Sequence, residues 1–168
     1  MAQTASPPPT SGAAPVEPVW SDLAWLLSRA AHGLNAELTA AFEGLGLSPR
    51  AQCVLRTALG GELPQGEIAR RVGLDKTTMV VTVDELERAG LAERRPSRHD
   101  RRARVIAVTE AGERKVREAE EIAARTREDV LAVLSDDERQ VFLGALERLV
   151  RGRLSEPVEC AHPPRRRT

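Results

Sequence analysis

Arginine is concentrated in one short stretch of the chain. Between positions 94 and 104 there is a single acid, Asp100, and the arginines stand at positions 94, 95, 98, 101, 102 and 104. So many like charges repel one another, and an anionic partner therefore stabilises the segment. Duplex DNA presents such a partner at high charge density. The stretch indicates nucleic-acid binding, and interaction with another protein is the alternative that these residues leave open.

Two short helices are predicted immediately before this stretch. Apolar side chains at spacings of three and four predict a helix over Gln65–Val72, which Gly73 ends. Asp75 or Thr77 can cap the next helix, because a short side-chain oxygen accepts a bond from a free N–H of the first turn. This second helix is predicted to reach Gly90, with an inward face formed by Met79, Val83 and Leu86.

Two strands are predicted around the arginine-rich loop, over Leu91–Arg95 and Arg104–Val108. The order helix, turn, helix, hairpin is that of a winged helix-turn-helix, whose second helix usually enters the major groove of DNA. The predicted fold class is therefore mainly α with a small β-hairpin wing.

The same residues resemble a known family. The segments DELERAGL, ERR, DRRAR and VT-x-AG occur in order between about Leu47 and Gly112. In this order and spacing they resemble the MarR family of bacterial winged helix-turn-helix transcription regulators. The resemblance implies a triangular α-helical dimer with one winged helix in each subunit.

Long apolar helices are predicted on both sides of the winged module, over about 20–45 and 109–152. A DNA-binding core alone does not need both, so we expect them to be dimerisation helices. Ser48, Thr109 and Ser135 are the expected helix caps. The predicted MarR-like domain spans 19–152, with the winged module at about 48–108. Disorder is expected for the Pro-rich residues 1–18 and the basic residues 153–168.

Charge and composition narrow the function classes. The net charge is zero, but residues 66–104 carry ten basic and seven acidic side chains, and residues 110–148 carry seven and eleven. With two Trp, two Phe and no Tyr, base stacking on single strands is disfavoured. Cys53 and Cys160 form no metal-type cluster, and no cofactor or catalytic motif is present. We expect a cytoplasmic protein that is not an enzyme and does not contact a membrane.

The predicted DNA contacts fall on the second helix and the loop. They are Lys76, Thr77, Thr78, Val81, Arg88, Arg98, Arg101 and Arg102. Val81 departs from the family, where a polar or arginine side chain is implied. It either packs on a thymine methyl or is simply exposed. Asp100 is expected to shape the loop, while Arg101 or Arg102 enters the minor groove.

An effector site is implied by the resemblance alone. In the family a small phenolic or carboxylate ligand lies between the dimer helices and the winged module. The candidate residues here are Trp25, Arg29, His32, Asn35, Arg50 and Arg56. For His32 the alternative is an ordinary satisfied or exposed histidine. Cys53, among apolar neighbours, is expected to be an inert buried thiol rather than a redox switch.

The hypothesis is a homodimeric, sequence-specific DNA-binding regulator, a repressor released by a small molecule or a stress signal. Its partners are a pseudo-palindromic duplex, a second copy of the chain and a small aromatic or anionic effector. One alternative is a winged-helix module for protein interaction or dimerisation without DNA binding. Another is an appendage of an enzyme, for which the chain offers no catalytic domain.

Overall fold

The computed structural model describes residues 22–98 and 104–155. This part of the chain is mainly helical, with one antiparallel two-stranded sheet. In chain order the elements are α1 (Leu23–Ala41), a 3-10 turn (Glu43–Leu45), α2 (Pro49–Leu59), α3 (Gln65–Val72), α4 (Lys76–Arg88), β1 (Ala92–Pro96), β2 (Arg104–Val108), α5 (Glu110–Leu131) and α6 (Asp136–Arg151). The predicted fold class, a winged helix-turn-helix between long helices, is confirmed.

The helices begin where a short polar side chain can accept a bond from the first turn. Ser48, Asp75, Thr109 and Ser135 each accept a hydrogen bond from the backbone N–H three residues further on. Such caps satisfy amides that have no partner within the helix. Of the two candidates for the start of α4, Asp75 is the cap and Thr77 lies inside the helix.

The first and fifth helices are shorter than their apolar patterns predicted. Within the described residues α1 begins at Leu23 and ends at Ala41, since a 3-10 turn and the left-handed Gly46 follow. Similarly, the apolar pattern after Thr109 predicts a helix that reaches about Leu134, whereas α5 ends at Leu131. Val133, expected on the apolar side of α5, lies beyond its end and is 87% exposed.

The hairpin pairs in a register from Ala92 opposite Val108 to Pro96 opposite Arg104. Its second strand has the bounds that the sequence predicted, and the first is shifted by one residue. The residues before α3 contribute a single antiparallel bridge to the hairpin, between Pro64 and Val105, although the sequence also allows a short strand at 62–64. The hairpin therefore packs against the residues that precede α3.

A single core joins α2, α3, α4 and α5 to the hairpin. Its largest fully buried apolar side chains are Phe42, Leu55, Ile68, Met79, Leu86, Ile106, Val54, Val83 and Val116. Two expectations for α2 are wrong. The apolar pattern of α2 predicts that Leu59 faces inward, but it is 44% exposed, and Cys53, expected to be buried, is exposed. The inward face of α2 is formed by Ala51, Val54, Leu55 and Ala58, so positions 53 and 59 point away from the core.

The terminal helices are exposed. Neither α1 nor α6, both within the described residues, buries a side chain fully. Large apolar side chains nevertheless remain accessible on them, including Leu23, Leu26, Leu34, Val141, Phe142, Leu149 and Val150. Exposed apolar side chains that recur along a helix are typical of an interaction surface.

Candidate nucleic-acid interface

The two faces of α4 are clearly separated. Met79, Thr82, Val83 and Leu86 are buried against the core. The opposite side exposes four of the predicted DNA contacts, Lys76, Thr77, Val81 and Arg88. Val81 is 49% exposed, and its neighbour Val80, which was not among the predicted contacts, is 37% exposed. The exposed face therefore carries a cation, a hydroxyl and apolar methyl groups.

Thr82 is a buried polar residue that was not predicted from the sequence. Its hydroxyl donates to the Thr78 carbonyl at 2.8 Å, which satisfies it inside the helix. Its spacing of three from Met79 and four from Leu86 was a signal that could have placed it on the buried face.

Thr78, also predicted to contact DNA, is bound to the helix cap. Its hydroxyl donates to Asp75 Oδ2 at 2.6 Å, and its backbone N–H donates to Asp75 Oδ1 at 2.9 Å. These bonds, the hydroxyl first and the amide second, hold the pKa of the Asp75 carboxyl below its ordinary value. The start of α4 is thus stabilised by an ionised side chain.

The cap makes the stability of the protein depend on acid pH. Because the folded-state pKa of Asp75 lies below the unfolded value, its contribution is present above that value and is lost as the pH falls below about 4. Asparagine caps equally well and does not titrate. We expect Asp75→Asn to melt with a weaker acid dependence than wild type, by circular dichroism from about pH 6 to pH 3. Asp75→Ala should melt lower at neutral pH, and equal pH dependence in wild type and Asp75→Asn would contradict this assignment.

Three arginines near the wing are paired within the protein. Arg94 is held by Asp84 and Glu87 of α4, Arg95 by Glu93, and Arg98 by Glu62. The repulsion inferred from the six clustered arginines is therefore smaller than the sequence indicated, since carboxylates outside the loop balance part of it. A charge count confined to positions 94–104 cannot include these acids, because they precede the segment in the chain.

Of the predicted wing residues, only Arg98 lies in the part of the chain that the structure describes. The guanidinium Nε of Arg98 lies 3.2 Å from Glu62 Oε1. The same carboxylate accepts the backbone N–H of Arg98 at 3.1 Å, so Glu62 anchors the base of the loop. Asp100, Arg101 and Arg102 lie outside the described residues, so their predicted roles remain predictions.

A cleft of about 680 Å³ opens between α1, the start of α2 and the end of α3. Its polar lining includes Asn35, Thr39, Arg50, Gln52, Cys53 and Glu85, and its apolar lining includes Leu38, Phe42, Val72, Leu74 and Ala123. The cleft is large enough for a small organic molecule. The lining combines an apolar wall with one cation, Arg50, and one carboxylate, Glu85, so it suits an apolar molecule that also carries polar groups.

The structure brings together only some of the predicted effector residues. Arg50 and Asn35 line the cleft, and His32 lines a neighbouring groove with Asn35. Trp25, Arg29 and Arg56 are exposed and do not line the cleft. The cleft also contains Gln52 and Cys53, which were not predicted to belong to an effector site.

The MarR family model matches residues 45–103, from the 3-10 turn through the helix-turn-helix to the loop of the wing. This segment belongs to the MarR family. The match covers α2, α3 and α4, which carry the exposed face and part of the cleft lining, whereas α1 lies outside it. The resemblance drawn from the motifs is therefore confirmed.

Solved MarR structures match the fold well beyond this segment. A MarR transcriptional regulator from a Rhodococcus species is 27% identical, with a TM-score of 0.74 over 79% of this chain and 95% of that one. CouR of Rhodococcus jostii, bound to p-coumaroyl-CoA, is 28% identical, with a TM-score of 0.72 over 85% and 99%. The MarR family protein Rv2887 of Mycobacterium tuberculosis, in complex with salicylic acid, is 29% identical, with a TM-score of 0.65 over 76% and 96%.

In a second structure, the transcriptional repressor CouR is bound to a 23-mer DNA duplex. These relatives are transcription regulators rather than enzymes, and the chain is a DNA-binding regulator of the same winged-helix type. Within residues 22–98 and 104–155, no helix is long and apolar enough to cross a membrane. The same residues contain no group of three or more His, Cys, Asp or Glu side chains that could hold a metal ion.

Proposed function

We propose that the chain is a homodimeric transcriptional repressor that binds a pseudo-palindromic duplex and releases it when a small aromatic or anionic effector binds. The observation that carries the proposal is the exposed face of α4, where Lys76, Thr77 and Val81 stand free of the core beside the wing. In helix-turn-helix proteins the N-terminal part of the second helix contacts base edges.

The chemistry of this face suits a duplex. Lys76 offers an ammonium to phosphate or to guanine, and Thr77 offers a hydroxyl to phosphate or base. Arg88 is exposed at the other end of α4, where it can contact the backbone. Val81 cannot form a hydrogen bond with a base, but it can pack on the methyl group of thymine. Together these residues support recognition of a short DNA sequence.

The exposed apolar side chains of α1 and α6 support a homodimer. Two copies that bury these helices against each other form a closed, symmetric pair. Two recognition helices related by a two-fold axis then require two half-sites about one helical turn apart. In this arrangement the predicted domain of residues 19–152 consists of two parts, a winged module that binds DNA and helices that form the dimer.

The cleft supports an effector. It lies between α1, which we assign to the dimer, and the start of α2, which leads into the winged module. A ligand held by Arg50 and the apolar wall contacts both parts of the subunit. If it prefers one relative placement of these parts, it shifts the distance between the two recognition helices. CouR and Rv2887 are relatives whose structures contain small-molecule ligands.

The test is a gel-shift titration with the DNA upstream of the protein's own gene, paired with sedimentation of the same mixtures. We expect a discrete complex that contains two chains per duplex, and a dimer when the protein sediments alone at micromolar concentration. A scrambled duplex of the same length is the control, and it should bind at least about a thousandfold more weakly. A monomer in both experiments would contradict the dimer, and equal affinity for both duplexes would contradict sequence-specific binding.

A further inference from the structure

Arg94 of β1 is bound inside the winged module by residues from two helices. Its Nη2 lies 2.7 Å from Asp84 Oδ1, and its Nη1 pairs with Glu87 Oε2. Its Nε donates to Gln65 Oε1 at 3.2 Å, and its backbone N–H donates to Glu87 Oε1 at 2.7 Å. The residue therefore connects the first strand of the wing to both helices of the helix-turn-helix.

These contacts occupy all three nitrogens of the guanidinium. The side chain of Arg94 is 25% exposed, whereas those of Arg95 and Arg98 are 60% and 87% exposed. A planar guanidinium held by two carboxylates and an amide is fixed in direction, because its donors form a rigid fork. Arg94 thus differs from Arg95 and Arg98, because all of its guanidinium nitrogens bind protein groups and its side chain is mostly buried.

The residues of α4 that hold Arg94 lie next to the exposed face of this helix. Asp84 is three residues after Val81, and Arg94 Nη2 also approaches the Val80 carbonyl at 3.5 Å. A shift of Arg94 therefore changes the placement of the wing relative to the part of α4 that faces DNA. Base contacts need a placement within a few tenths of an ångström, since hydrogen bonds weaken steeply with misalignment.

We propose that Arg94 is a positioning residue for DNA recognition, which acts through Asp84, Glu87 and Gln65 and does not itself contact DNA. This inference rests on the proposed function. It separates the clustered arginines into two classes. Arg94 sets the angle between α4 and the wing, and the arginines with exposed guanidinium groups remain available to phosphate.

The proposal predicts that removing two acids weakens DNA binding, which is the opposite of the usual effect. Removing acids next to a polyanion ordinarily strengthens binding, because it removes repulsion. If Asp84 and Glu87 hold Arg94 in place, their removal instead weakens binding. We therefore expect Asp84→Asn/Glu87→Gln to lower the affinity for the operator by about tenfold, and Arg94→Gln to do the same.

The control is Glu93→Gln, which also changes an acid to an amide and lies on the same strand as Arg94. The carboxylate of Glu93 pairs with the exposed Arg95 rather than with α4, so this variant should bind as tightly as wild type or up to a few times more tightly. Combining Arg94→Gln with the two acid changes should cost no more than about threefold beyond either alone, since all three residues act as one unit.

Affinity is measured on an operator duplex over a range of salt concentrations, at a temperature where circular dichroism shows every variant to be folded. A purely structural role predicts wild-type affinity under this condition. Weaker affinity with an unchanged salt slope in Arg94→Gln supports the proposal. A slope reduced by about 0.9 would show a phosphate contact and overturn it.

Tighter binding by the double acid variant, with effects that add to those of Arg94→Gln, would also overturn the proposal. That result would leave the proposed function intact, because the wild type would still bind its operator specifically. Failure of the wild type to bind any duplex would overturn the proposed function and this inference together, so the two failures are distinguishable.

Discussion

Gly112→Ala is expected to destabilise the protein by about 3 kcal/mol or more, or to prevent folding. Gly112 lies in the first turn of α5, where a Cβ would stand 2.1 Å from the Leu91 carbonyl oxygen and 2.7 Å from Val108 Cγ1. The first distance is far inside van der Waals contact, and the obstacle is backbone rather than a flexible side chain. The glycine therefore allows α5 to approach the hairpin closely.

The surrounding bonds leave α5 little freedom to move away. Thr109 Oγ1 donates to the Gly90 carbonyl at 2.8 Å and accepts the Gly112 N–H at 3.1 Å. The Thr109 backbone N–H donates to the Leu91 carbonyl at 3.1 Å, the same oxygen that the new methyl would meet. A displacement that relieves the clash breaks these bonds at the junction of α4, β1 and α5.

Urea unfolding followed by circular dichroism measures the effect. The control is Gly66→Ala, in the first turn of α3, where a Cβ meets nothing within 4 Å. That change should leave stability unchanged or raise it by up to about 1 kcal/mol, because alanine favours the helix. A Gly112→Ala midpoint close to that of wild type would show that α5 can shift without cost, and the close approach would then not be a constraint.

The local features of the fold followed from the sequence. Caps at Ser48, Thr109 and Ser135, the bounds of α3, and the buried Met79, Val83 and Leu86 each depend on residues within about two turns of one another. The sequence predicts such features because helix periodicity and capping are set by spacings of three and four. The order of the elements then restricted the fold to a winged helix-turn-helix.

The exposure of single side chains did not follow from spacing alone. Leu59 and Cys53 have apolar neighbours in the sequence, but no described element packs over them in this chain. Their burial depends on which side of α2 is covered, which is a property of the assembled subunit. Cys53 instead lines the cleft, so burial does not protect its thiol from solutes.

The hydrogen bonds and ion pairs of Arg94 could not be predicted from the sequence either. Its contact with Gln65 joins residues 29 positions apart, and its contacts with α4 depend on how the hairpin packs against that helix. A count of charges along the chain treats Arg94, Arg98 and Arg101 alike. Only the packing of β1 on α3 and α4 distinguishes an arginine held by carboxylates from one exposed to solvent.

Replacing both Arg101 and Arg102 with alanine is expected to weaken DNA binding by about a hundredfold. Both lie outside the described residues, so the prediction rests on the sequence, where they follow Asp100 in the wing motif. Charge-assisted bonds to phosphate, or insertion into a narrow minor groove, depend on charge and shape rather than on a base code. The loss should therefore be similar on an operator and on a scrambled duplex.

The salt dependence of affinity is the decisive measurement for the wing. For each phosphate that the variant no longer binds, the plot of log affinity against log salt should flatten by roughly one unit. The wing motif implies contact by Arg101 or Arg102, so we expect the slope to change by about one unit. An unchanged slope in the double variant would remove the wing from the contact surface.

Val81→Ala is the matched change on α4 and should behave differently. Val81 is half exposed on the face opposite Met79, Val83 and Leu86, so folding should survive its truncation. Its methyl groups can pack on a thymine methyl but cannot bind phosphate. We expect a loss of about tenfold or less, confined to duplexes with thymine at one position, with no change in salt slope. Equal losses on the operator and the scrambled duplex would exclude the thymine contact, and Val81 would then be only an exposed residue.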